Sequence, residues 1–120
     1  MNRLLLLLII MFWLTANFAL ADQAQIRAAK LNKDGDTWTV YVTIFHADTG
    51  WDHYADGWRV LDHQGNELGR RTLYHPHVDE QPFTRSLSGV NIPSELKQVY
   101  IQAHDKVHGW NPDNYKVDLN

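Results

Sequence analysis

The chain has 120 residues, 21% of them charged, with a formal net charge of −3 and no cysteine. That length holds one domain with a modest core. The absence of any Lys/Arg run argues against nucleic acid or anionic lipid as a partner. Without cysteine there is no disulfide, no thiolate metal ligand and no cysteine to lipidate.

Met1-Asn-Arg3 is a short basic start, followed by an unbroken apolar run from Leu4 to Leu14. Ala19-Leu-Ala21 then supplies the small-x-small pattern of a signal-peptidase site. A retained membrane anchor would need about 20 apolar residues. The reading is therefore a signal peptide over 1–21 and a single domain over 22–120, periplasmic or secreted and off the membrane after cleavage. Removing Arg3 takes the charge from −3 to −4.

The remainder reads as short strands separated by turn signals. Gln25 to Leu31 opens the series. Thr37 to Phe45 is the clearest strand, because Trp38, Val40, Val42 and Ile44 share one parity and Thr39, Tyr41, Thr43 and Phe45 the other. Trp58 to Asp62 and Glu67 to Tyr74 flank a hairpin turn at Gln64-Gly-Asn66. Phe83 to Leu87 is a short strand, and Gly89 to Pro93 a turn or edge segment. Val99 to His104 and Tyr115 to Leu119 complete seven strands. The fold class is all-β, a seven-stranded immunoglobulin-like or fibronectin-III-like sandwich.

Strand alternation has a consequence for function. Six of the seven histidines fall in 46–53, 75–77 and 104–108. If successive strands run antiparallel, those stretches all emerge at one end of the sandwich.

Imidazoles beside carboxylates are the usual donor set for zinc or copper. His75 and His77 are two apart around Pro76, so on extended backbone they face one side. His104 and His108 bracket a tight loop. These four form the expected metal-ligand set, for a divalent ion such as Zn or Cu. Asp52, His53, Asp79, Glu80 and Asp105 are candidates for orienting them. His46 shares the parity of Ile44 and is expected to be a tied-down strand-end residue.

A structural reading stands beside this one, in which histidines and acids only hydrogen-bond one another to order long loops. Arg85 shares the parity of Phe83 and Leu87 and should point inward. An inward guanidinium needs an acid, which suggests an Arg–carboxylate clamp. Three Gly-Trp pairs end at Trp51, Trp58 and Trp110. Trp58 is expected in the core. Trp51 and Trp110 are expected to plug the loop end; if exposed, they would anchor a protein, peptide or sugar.

No nucleophile elbow, cysteine nucleophile or phosphate loop is present, so the chain reads as a binding protein rather than an enzyme. Clustered histidines also suit a pH-responsive adaptor. The partner is left as a protein or small ligand. The stretches Gly50-Trp-Asp-His-Tyr-Ala-Asp-Gly-Trp58, His75-Pro-His-Val-Asp-Glu-Gln-Pro-Phe-Thr-Arg-Ser-Leu87 and Ala103-His-Asp-Lys-Val-His-Gly-Trp110 resemble a group of small uncharacterised exported bacterial proteins. That resemblance implies a bacterial origin and one compact domain, and transfers no functional residue.

Overall fold

Alternation of apolar and polar residues builds eight strands in the computed structural model, which describes residues 23–119. The segment assigned to export, 1–21, lies outside the described residues. The strands are β1 (Gln25–Asp34), β2 (Thr37–Phe45), β3 (Ala55–Leu61), β4 (Glu67–Thr72), β5 (Phe83–Val90), β6 (Gln98–Asp105), β7 (Gly109–Trp110) and β8 (Tyr115–Asp118). They form two antiparallel sheets. One has the order β1-β2-β5; the other runs β4-β3-β6-β7, with β8 also paired to β6.

The all-β sandwich reading holds, with eight strands in place of seven. The additional one is β7, whose two residues pair with His104 and Asp105 of β6. Two residues are too few for an alternation pattern, so periodicity cannot reveal such a strand. It shares one edge of β6 with β8, which pairs with Gln98 to Ile101. Among the described residues, no helix is long and apolar enough to cross a membrane.

The core follows the parity of β2. Val40, Val42 and Ile44 are buried and pack with Trp58, Val60, Val99, Ile101 and Ala103 from the opposing sheet. Trp58 is fully buried, as its place at the centre of β3 requires. β5 runs past Leu87 to Val90 because of one extra residue. Val40 pairs with Leu87 but Trp38 pairs with Val90, and Gly89 takes a φ of +71°. Such a bulge restores Val90 to the inner face and defeats simple counting.

The β2–β3, β4–β5 and β6–β7 connections meet at one end, as antiparallel alternation demands. Direct hydrogen bonds join them. The His46 amide donates to Gln81 Oε1 at 3.0 Å, and the His77 amide donates to Asp48 Oδ2 at 2.8 Å.

Candidate functional site

His46 continues the inner parity of β2 one residue past its end and is almost fully buried. A ring there needs a partner for each nitrogen. Its Nδ1 lies 2.5 Å from Asp48 Oδ1. That ties the residue down as its parity suggests. Because the carboxylate accepts at Nδ1, the neutral ring carries its proton there and presents a lone pair at Nε2.

The Nε2 atom faces His53 Nε2 at 3.1 Å, and the two rings meet edge to face. His53 Nε2 is also 3.3 Å from Asp105 Oδ1. One ligand atom from each of His46, His53 and Asp105 lies within 4.8 Å of the others. Metal bonds of about 2.0–2.1 Å place neighbouring ligand atoms about 3.3 Å apart in a tetrahedron. The two spacings made by His53 Nε2, 3.1 Å to His46 and 3.3 Å to Asp105, are close to that edge length.

Asp105 is buried at the end of β6. Its Oδ1 accepts from the Val107 and His108 amides at 2.9 and 2.8 Å and contacts His108 Nδ1 at 3.1 Å. Burial acts to raise its pKa, but the His108 and Val107 amides and the His108 ring outweigh burial and hold the carboxyl below its ordinary value. Asp105 is therefore an anion over the physiological range. His53 is partly exposed, which gives the group a side open to solvent.

The four expected ligands stand in three different surroundings. His75 and His77 lie together, with ring centroids 4.6 Å apart. His77 is stacked on Phe83 at 4.0 Å, and its Nε2 meets Arg85 Nη2 at 3.0 Å. His104 turns to the outer face of its sheet, where Nδ1 contacts Asp56 Oδ1 and the ring abuts Trp110. Of the four, His108 stands beside the His46–His53–Asp105 group, with Nδ1 on Asp105 at 3.1 Å and its ring centroid 5.4 Å from that of His53. The cause is strand alternation: His104 and Asp105 are consecutive and must point to opposite faces.

The remaining expected residues divide in the same way. Arg85 bonds Glu80 at 3.2 Å and the Thr84 carbonyl at 2.7 Å, forming the anticipated clamp. It is partly exposed, because β5 is an edge strand and the long stem reaches out of the sandwich. Asp52 and Asp79 are exposed at loop tips. Trp51 is 65% exposed, which overturns its expected burial. The β2–β3 loop turns His53 and Tyr54 inward instead, and Trp51 rests edge-on against Tyr54 at 5.9 Å. Trp110 is half-buried beneath Arg59, whose Cζ is 3.9 Å from its ring.

Sequence reasoning passed over the roles of Asp48, Asp56 and the second nitrogen of His46. Asp48 follows His46 by two residues, a spacing that lets a carboxylate reach back to the ring. Nothing in the local sequence marks Asp56 as the partner of His104, because the two residues meet only through β3–β6 pairing.

His77 gives the loop end a pH dependence. Its buried Nδ1 has no hydrogen-bond partner among the described residues. Burial, then Arg85 and His75, lower its pKa. The unfolded chain therefore binds the proton more readily than the folded one. Stability should be full well above about pH 6.5 and fall as pH drops from there toward the lowered folded value. Urea unfolding at about pH 7.5 and pH 5.5 should show a smaller pH difference in His77→Leu than in the parent. An equal difference would remove His77 from the account.

No family model matches the chain. It is 42% identical over 77 residues to a protein of Halomicrobium mukohataei described as "Putative lipoprotein". The match covers 64% of this chain and 37% of that protein, so the chain spans little more than a third of the relative's length. A hypothetical protein of Pyrococcus horikoshii OT3, known from a crystal structure, superposes with a TM-score of 0.53 at 16% identity. That likeness covers 81% of this chain and 87% of the archaeal chain, and it concerns the fold alone.

Proposed function

We propose that the protein is an exported binding protein whose loop-end site takes a divalent transition metal through His46, His53 and Asp105. The carrying observation is the pair of Nε2 atoms 3.1 Å apart with a buried carboxylate beside them. Two nitrogens and an anionic oxygen suit zinc or copper. Asp48 would fix the His46 tautomer and raise its basicity, as carboxylates behind ligating histidines do. Three protein ligands leave a coordination position for water or an exchangeable ligand. His108 is the member of the four-histidine set best placed to join them. The lipoprotein relative supports a cell-envelope or exported location for this chain.

Untagged protein stripped with chelator and titrated with Zn²⁺ should bind one ion. His53→Ala should weaken that binding on the order of 100-fold or more, since even residues behind the ligands cost about 10–100-fold. His75→Ala should leave it within about twofold on the same scale. A larger loss in His75→Ala than in His53→Ala would instead favour the His75, His77, His104 and His108 set.

A second reading rests on Trp51, Tyr74, Val78 and Val107, which are exposed on the same three loops. Under it, the loops dock a protein, peptide or sugar and the His/Asp/Arg network is structural. Absence of metal binding by the stripped protein would move the assignment to this reading.

A further inference from the structure

The outer face of the larger sheet holds a second group of unengaged polar atoms, around a cavity of about 200 Å³. Its lining includes Asp56, Gly57, Arg70, Thr72, His104 and Trp110. The register explains the grouping. Gly57 pairs with Thr72 on one side and with His104 on the other, and His104 pairs with Trp110. Glycine at the centre of that row leaves a depression. A Cβ at Gly57 would lie 3.1 Å from the Arg71 carbonyl oxygen.

Arg70 gives Nε and Nη2 to the same Glu67 oxygen, at 2.9 and 2.7 Å. Its Nη1 forms no hydrogen bond among the described residues. The same holds for the Thr72 hydroxyl, the Trp110 indole N–H and His104 Nε2. His104 Nδ1 is held by Asp56, so the neutral ring presents a lone pair at Nε2. Arg59 and Arg70 share Glu67 as their only ion-pair partner among the described residues, and Asp56, the second carboxylate beside the cavity, is turned to His104, so Arg70 Nη1 is left for an incoming acid.

We propose that this cavity binds a small hydroxy acid, with the carboxylate on Arg70 and a hydroxyl donating to His104 Nε2. Arginine is suited to a carboxylate through its fixed fork of donors. An imidazole lone pair selects a hydroxyl over a second acid group. Thr72 and the Trp110 N–H supply the remaining donors. The volume falls below the roughly 300 Å³ at which pockets begin to hold drug-sized ligands, so a ligand of a few carbons fits. The site is independent of the metal reading, because it uses neither His46 nor His53.

The test uses chelator-stripped protein at about pH 8. Glycerate, acetate and glycerol are titrated separately while amide resonances and tryptophan fluorescence are followed. Glycerate should bind with a Kd on the order of 1 mM, at least about tenfold tighter than acetate or glycerol. Gly57, Thr72 and Trp110 should show the largest amide shifts. Arg70→Gln should weaken glycerate about tenfold or more, His104→Phe should abolish its advantage over acetate, and His46→Ala should change neither. Equal binding of glycerate and acetate would overturn the hydroxyl contact. Amide shifts centred on His53 and Asp105, or no shift at about 20 mM glycerate, would overturn the site. Because Arg70 is exposed and contacts Glu67, Arg70→Gln should keep the fold, which its amide spectrum without ligand would verify.

Discussion

Asp48→Ala is expected to lower both the stability and the metal affinity of this protein more than substitution of any exposed loop acid. The carboxylate is buried, and three segments converge on it. Oδ1 accepts from His46 Nδ1 at 2.5 Å and from the Ala55 amide at 3.0 Å, while Oδ2 accepts from the His77 amide at 2.8 Å. Removing it leaves buried donors unpaired in the β2–β3 and β4–β5 loops and at the start of β3. Each such donor costs about 1–3 kcal/mol, so the three together cost at least about 3 kcal/mol. For a domain of this size that is a melting-temperature loss of at least about 12 °C.

Asp48→Asn should recover little of this. Either orientation of the amide turns its NH₂ toward a backbone N–H, of Ala55 or of His77, and two donors cannot bond each other. Zinc affinity should also fall, by about 10–100-fold, because His46 loses the partner that orients it. Calorimetry and zinc titration on the two variants measure these effects. A melting-temperature change under about 4 °C, the equivalent of about 1 kcal/mol, would show that Asp48 is not the tie described.

Trp58→Ala is the second large effect, and it acts through packing alone. Trp58 has no exposed surface and sits on β3 opposite Ala103, between the two sheets. Truncation removes the largest fully buried side chain among the described residues and leaves a cavity that both sheets border. Phe or Trp to Ala in a core costs about 3–5 kcal/mol. Domains of this kind hold about 5–15 kcal/mol in all, so the variant should retain little stability. Trp58→Phe should lose distinctly less, since it keeps most of the apolar volume. Urea unfolding of both variants reads the difference. Similar midpoints for the parent and Trp58→Ala would contradict the packing account.

The two substitutions mark where sequence reasoning is strong and where it stops. Trp58, the β2 parity and the grouping of the loops at one end follow from rules that act within a few residues. Alternation fixes which face a side chain takes, and antiparallel succession fixes which end a loop occupies. The clamp from Arg85 to Glu80 is legible for the same reason, since the two residues lie five apart on one strand and its lead-in. Asp56 beside His104 is not legible, because 48 residues separate them and only strand register brings them together.

For the candidate metal site, the sequence by itself determined the inventory: histidines, carboxylates, no thiolates, and a common end of the sandwich. Tertiary structure decided which of them meet. It drew His46, His53 and Asp105 into one group, kept His75 and His77 beside Arg85, and sent His104 to the outer face. Position along a strand is a local property carried by alternation. Contact between loops depends on register, bulges and the path of the chain between strands, which arise from the packing of the whole domain.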